Sequence, residues 1–314
     1  MPPEALAPLA AVPPYAAPLH LAVGMFDGVH RGHQAVIGRA VQAARASGGT
    51  AGVLTFWPHP SVVLRPAAPT RVMQDPAAKA EVLRQMGVTL VLTEPFSAGI
   101  AEVEAGDFVA WLRARLPGLA GLYVGENFRF GRGRRGEVGL LAQTGREAGI
   151  TVVVAPPVLW DGAPVSSTRI RALLASGEMA AVASLLGRPY AARGPVVPGK
   201  RLGRTLGFPT LNLIWSPPAG PRLGVYAVRV RGGSGPAHPA VANYGLRPTV
   251  EQTTEPRLEV HVFGDCPWTE GDVLSVDWER FLRPEQAFPD LAALRRQILQ
   301  DCAAARAALG LPPT

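Results

Sequence analysis

At 314 residues the chain exceeds what one hydrophobic core usually supports, so two domains are expected. Hydrophobic residues at 47% and charged residues at 18% exclude a disordered chain, and no apolar run reaches the roughly 20 residues of a membrane span. A formal charge of +7 favours anionic ligands such as phosphates, nucleotides or nucleic acid, while two cysteines exclude a disulfide scaffold and an all-cysteine zinc site and fit a reducing cytoplasm.

The first residues, MPPEALAPLAAVPPYAAP, lack the basic flank and uninterrupted apolar centre of a signal peptide, so a soluble cytoplasmic protein is expected. From about residue 19 to 155, short β-rich runs alternate with helical periods, the pattern of βαβ units on a parallel sheet. The strands are expected at HLAVG, AGVLTF, TLVLTEP, GLYVG and ITVVVAP. Between the first two, His33, Val36, Ile37, Ala40, Val41 and Ala44 recur at spacings of three and four, and Ser47-Gly48-Gly49 closes the helix.

The connection into that helix reads GMFDGVHRGH, residues 24 to 33. Backbone N–H groups and the positive helix end converge there, which makes an anion site. His30 and His33 are the expected catalytic pair, donating hydrogen bonds to oxygens that gain charge as an α-phosphorus is attacked. Gly24, Phe26, Asp27 and Gly32 complete the expected nucleotide-binding turn. Plain capping histidines are one alternative. A zinc pair is another, but it needs a third protein ligand that the nearby sequence does not offer. The whole string, on the first strand-to-helix turn of an α/β domain, resembles the nucleotidyltransferase superfamily with an H-x-G-H signature. The densest basic run, Arg129 to Arg135, is broken by glycines, which suits a solvated loop or a phosphate contact better than a nucleic-acid face.

After Ser166-Ser167, the runs TRIRALLASG and EMAAVASLLGRPY read as two connector helices, the second ended by Gly187 and Pro189. Beyond Tyr190 come GPVVP, FPTLNLIW, GVYAVRVRG, PAVANYG, RLEVHVFG and VLSVDWERFL, short strands punctuated by glycine and proline that predict a small antiparallel barrel. DLAALRRQILQDCAAARAAL follows as a terminal helix. The expected domains are residues 1–188, a parallel-sheet α/β nucleotidyltransferase, and 189–314, the barrel. On a strand, Thr210 and Asn212 would share a face, and their oxygens could complete a Mg²⁺ shell with ATP phosphates and water. Side chains facing solvent from an edge strand are the alternative.

TFWPHP, VGENFRFGRG, VSSTRIR, KRLGRTLGFPTLNL, NYGLRPTV, LEVHVF and FLRPEQAF occur in that order. Their types and order resemble the bacterial bifunctional riboflavin kinase and FMN adenylyltransferase family. The resemblance implies that Asn127 and Arg283 contact flavin. It places Ser166, Ser167, Thr168 and Arg169 near ATP phosphates, although helix capping by Ser167 accounts for part of that run. Lys200, Gly203 and Arg204 become a second nucleotide loop, Thr210 and Asn212 the Mg²⁺ ligands, and Glu259 the base. Two departures stand out: Leu211 replaces the family's alanine, and Trp268-Thr269-Glu270-Gly271 stands where the family has Leu-Tyr-Gly.

The implied activity is phosphorylation of riboflavin to FMN and adenylylation of FMN to FAD, with ATP as co-substrate and no nucleic-acid or membrane partner. Self-association is left open. The rival readings are an enzyme with one of the two activities and a flavin-sensing regulatory protein.

Overall fold

The structure is a computed structural model that describes residues 8–9, 18–199, 202–246 and 256–312. It divides into two compact units, Met1–Ser167 and Thr168–Thr314.

The first unit runs β1 (Leu19–Val23), α1 (Arg31–Ser47), β2 (Thr50–Trp57), α2 (Pro60–Leu64), α3 (Pro76–Gln85), β3 (Leu90–Pro95), α4 (Ala98–Ala101), α5 (Phe108–Arg115), β4 (Leu119–Gly125), α6 (Val138–Glu147) and β5 (Thr151–Ala155). The five expected strands are present, and they form one parallel sheet in the order β3-β2-β1-β4-β5. Helices cover both faces, and the central strand β1 is buried along almost its whole length. Alternate residues of β1 serve opposite cores: Leu19, Leu21 and Val23 join the cluster under α5 and α6, and Ala22 joins the one under α1 and α3. Full burial of a side chain such as Ile37 or Leu54 is worth about 1.5–3 kcal/mol.

The buried stripe of α1 is Val36, Ile37, Ala40, Val41 and Ala44, while His33, the first residue of the expected spacing, is half-buried; Gly48 ends the helix at φ 64°. After β3 the chain crosses to the other side of β1 to form β4. The strand order therefore reverses between β1 and β4, and in open α/β sheets ligands bind beyond the carboxyl ends of the strands at such a point. The GMFDGVHRGH and VGENFRFGRG strings follow those two ends. A two-stranded hairpin, β6 (Leu159–Trp160) with β7 (Ala163–Pro164), then leads to Val165. Its turn residues Asp161 and Gly162 both have positive φ.

The second unit takes in almost all of α7 (Ser167–Ser176), then α8 (Met179–Leu186), β8 (Tyr190–Val197), α9 (Leu202–Thr205), β9 (Leu211–Leu213), β10 (Gly224–Gly232), β11 (His238–Leu246), β12 (Pro256–Val262), β13 (Val273–Arg283) and α10 (Leu291–Ala308). All six expected strands appear in a closed antiparallel barrel, ordered β10-β11-β12-β9-β8-β13. The rhythm of the sequence changes near residue 188, whereas by packing α8 lies against β8 and β13 and so belongs with the barrel.

Aromatic rings pack together in the barrel. Tyr226 and Trp278 meet edge to face at 4.7 Å, and Tyr244 and Trp215 lie against Trp278. On β10, Tyr226 and Val228 belong to the fully buried set, while the alternate residues Val225 and Ala227 pack with Ala305 of α10 and with Leu309, which caps it. The run FPTLNLIW is strand only over Leu211–Leu213, so Thr210 stands one residue before β9.

Candidate active sites

At the end of β1 the chain makes a tight turn in which Phe26, Gly28 and Val29 have φ of 47°, 82° and 41°. Glycine adopts that region freely, but a β-branched residue such as Val29 does so only when its surroundings hold it. Here they do. Lys79 Nζ donates to the Met25 carbonyl at 2.7 Å and Thr55 Oγ1 donates to it at 3.0 Å. Ser167 Oγ donates to the Asp27 carbonyl at 2.9 Å, and Gln34 Nε2 to that of Val29 at 2.8 Å. The buried Asp27 carboxylate accepts the Met73 N–H at 2.9 Å.

That framework aims the histidines. His30 is the N-cap of α1, and its Nδ1 accepts the His33 N–H at 3.3 Å. An accepting Nδ1 leaves the proton of the neutral ring on Nε2, which makes that nitrogen a donor. The two rings stack 3.5 Å apart at 19°, and Phe26 meets His33 edge-on at 5.3 Å. A Cβ at Gly32 would lie 3.2 Å from the His30 ring, so a side chain there would press on it.

Beside the turn opens a cavity of about 610 Å³ lined by segments that follow the carboxyl ends of β1 to β4. Gly24 and Met25 form part of its wall, Phe56, Trp111 and Phe128 make it aromatic, and Asn127 adds an amide. Arg65, Arg129 and Arg134 bring positive charge. Ser166 and Ser167 follow the hairpin, and the Ser167 contact ties that string to the turn; Thr168 and Arg169 take the first two positions of the second unit.

Lys79 escapes a motif-based reading. It sits on α3 in one buried face with Ala80 and Leu83. Burial pushes its ammonium down to about 8, with Asp27 pulling the other way. The available signal is a lysine four residues before Leu83 on an apolar helix face.

In the barrel, register brings distant residues into one row. Asn212 on β9 pairs with Glu259 on β12, Glu259 with Asn243 on β11, Asn243 with Val225 on β10, and Val225 with Arg283 on β13. Leu213 and Leu258 in the next row are buried. Strand side chains alternate, so Asn212 and Glu259 share the opposite face. Asn212 is only 6% exposed, and its Oδ1 meets no donor among the described residues. A Cβ at Gly199 would fall 2.2 Å from its Nδ2, so a side chain there would push the amide aside.

Thr210 stands beside this row. His261 Nδ1 donates to the preceding Pro209 carbonyl at 2.8 Å, and a Cβ at Gly203 would lie 3.4 Å from Thr210 Oγ1. Thr210 and His261 also line a cavity of about 550 Å³. Arg283 makes a two-pronged pair with Asp301 of α10, Nε and Nη2 each at 2.7 Å from a carboxylate oxygen. Its guanidinium thus fastens α10 to the end of β13. Lys200 and the Arg204 side chain lie outside the described residues, as does the NYGLRPTV string from Arg247 onward. Cys266 is exposed. Cys302 is half-buried, and burial, then Asp301, pushes its thiol up to about 11.

A family model described as FAD synthetase matches residues 13–169, and one described as riboflavin kinase matches residues 186–309. Among curated proteins, the bifunctional riboflavin kinase/FMN adenylyltransferase of Escherichia coli (strain K12) is 37% identical, over 93% of each chain. The chain belongs to the bifunctional riboflavin kinase/FMN adenylyltransferase family. Family members of the same description from Pseudomonas fluorescens and Bacillus subtilis (strain 168) are 38% and 32% identical, covering 91% and 90% of this chain and 91% and 89% of theirs. A crystal structure described as a macrolide-efflux protein from Streptococcus pneumoniae is 28% identical, with a TM-score of 0.84 over 96% of this chain and 99% of that one. Among the described residues here, no helix is long and apolar enough to cross a membrane. The histidine turn and the aromatic cavity fall within the FAD synthetase match, and the Asn212–Glu259 row within the riboflavin kinase match.

Proposed function

We propose that FMN lies in the aromatic cavity of the first unit with its phosphate toward the His30–His33 turn, and that riboflavin is phosphorylated beside Glu259. The family's two activities then divide between the units. The observation that carries the first assignment is the wall shared by the cavity and the turn, Gly24 and Met25. An isoalloxazine ring stacks well on Phe56, Trp111 and Phe128, while the nearby arginines suit its phosphate.

In the first unit a phosphate oxygen of FMN attacks the α-phosphorus of ATP, and the bond from that phosphorus to the β-bridging oxygen breaks, releasing pyrophosphate and FAD. A phosphate monoester is already anionic near neutral pH, so no general base is needed. His30 and His33 donate hydrogen bonds to the α-phosphate oxygens as charge builds, and the N-terminal end of α1 adds its backbone N–H groups.

In the second unit the ribityl 5′-hydroxyl attacks the γ-phosphorus of ATP, Glu259 accepts its proton, and ADP leaves. The buried, unpartnered Asn212 Oδ1 next to Glu259 fits a hard cation. Thr210 and Asn212 would hold Mg²⁺, which neutralises phosphate charge when bound. Two free cysteines support a reducing, cytoplasmic setting.

Incubation with riboflavin, ATP and Mg²⁺, followed by separation of the flavins, is expected to give FMN and then FAD; absence of either product overturns the pairing of functions. Thr210→Val keeps shape and deletes the hydroxyl, and is expected to raise the Mg²⁺ concentration needed for kinase turnover with FAD formation from FMN unaffected. An unshifted Mg²⁺ dependence removes Thr210 from the ligand set.

The division of the two activities between the units is tested by cutting the chain at their boundary, after Ser167. A fragment of residues 168–314 retains α8 on β8 and β13 and is expected to make FMN but no FAD. A fragment that unfolds cooperatively yet makes no FMN counts against separable sites.

A further inference from the structure

Beneath the histidine turn lies a buried ammonium that neither reaction uses. Lys79 is 4% exposed, and its Nζ donates to the Met25 carbonyl at 2.7 Å and to Thr55 Oγ1 at 3.1 Å. Thr55 Oγ1 donates its own hydrogen bond to the same carbonyl at 3.0 Å. The carbonyl of Met25 is therefore held twice from below, at the point where β1 gives way to the strained turn. The far side of that turn is held by Ser167 and Gln34. Met25 also lines the aromatic cavity, so Lys79 stands one residue behind the wall that substrate would touch.

A neutral donor such as glutamine would satisfy one carbonyl with a far smaller desolvation cost than an ammonium. A lysine kept at this depth points to a use for its charge as well as its hydrogen bond. Asp27, in the same turn, is its electrostatic partner, and Asp27 in turn takes the Met73 N–H. Carbonyl, carboxylate and ammonium thus form one buried unit that fixes the chain between β1 and α1. Beyond that unit lies the mouth where the phosphates of two substrates would meet.

We propose that Lys79 is a positioning residue for adenylyl transfer, setting through Met25 and Asp27 the geometry with which His30 and His33 meet the α-phosphate. It touches neither substrate. This role presupposes adenylyl transfer at the His30–His33 turn, so the test must separate the two assignments.

Lys79→Met keeps the stem and deletes the ammonium. It is expected to lower kcat for FAD formation from FMN by about tenfold to a hundredfold, the scale of a misplacement of about 1 Å, with KM for FMN and ATP shifted by less than about threefold. Riboflavin phosphorylation by the same protein should be unchanged. Because Lys79 acts through the histidines, its loss in a His33→Ala background should cost less than about threefold more. Unchanged kcat in folded Lys79→Met, a loss confined to KM, or fully additive losses in the double variant each overturn the role of Lys79. Unchanged FAD formation in His33→Ala alone overturns the underlying site assignment instead. If Lys79→Met fails to unfold cooperatively, Thr55→Val carries the test by removing the second donor to Met25: a fall in kcat alone supports the proposal, and wild-type turnover overturns it.

Discussion

Replacing His33 by alanine is expected to lower FAD formation from FMN by about a hundredfold or more while FMN formation from riboflavin continues at its normal rate. His33 lies in the first turn of α1, one face of its ring against His30 and an edge contact with Phe26. Alanine is a good helix former there, so α1 should persist, and its buried stripe from Val36 to Ala44 does not involve position 33. What disappears is the donor proposed for oxygens whose charge grows only as pyrophosphate departs, together with the ring stacked on His30. The loss should therefore appear in kcat rather than in ATP or FMN affinity. Single-turnover conversion of supplied FMN measures it, and the kinase reaction of the same polypeptide serves as the folding control. Undiminished conversion would remove His33 from the chemistry, and loss of both products would indicate misfolding.

Glu259→Gln is expected to slow phosphoryl transfer to riboflavin by about a hundredfold to ten-thousandfold and to leave adenylylation of supplied FMN intact. Glutamine is nearly isosteric and keeps the row between Asn212 and Asn243, so the pairing of β9, β12 and β11 should survive. An amide cannot take the hydroxyl proton at neutral pH, which is the function assigned to the carboxylate. The neighbouring Asn212 sharpens the comparison, because a change at position 259 that merely displaced the metal would also raise the Mg²⁺ requirement. Initial rates at saturating Mg²⁺ separate the two effects: a rate restored by Mg²⁺ assigns Glu259 to metal support, and a wild-type rate throughout makes it structural.

The local patterns of the chain by themselves determine a great deal. Alternating βαβ periods specify the parallel sheet, because strands buried on both faces must be continuous apolar runs and the helices between them must each carry an apolar stripe. The stripe of α1 is legible residue by residue, since helical spacing is a property of near neighbours. The six short strands of the barrel are legible for the same reason, and so is the string GMFDGVHRGH, whose glycines and histidines act within one turn of chain.

Contacts between residues far apart in the chain were decided by the tertiary structure. Nothing local tells that Lys79 reaches the carbonyl of Met25, because the contact exists only once α3 packs against the sheet beside β2. Register alone sets Asn212 beside Glu259, and a one-residue slip of β9 would have turned the amide toward the core. Arg283 carries a flavin-site expectation from its motif, and only the packing of α10 shows that Asp301 meets its guanidinium in a two-pronged ion pair. Likewise α8 reads as a connector in sequence, yet its apolar residues Met179, Val182, Leu185 and Leu186 are buried in the second unit, where α8 packs on β8 and β13. Sequence pattern determines which face of an element is apolar; which other element covers that face depends on how all of them pack at once.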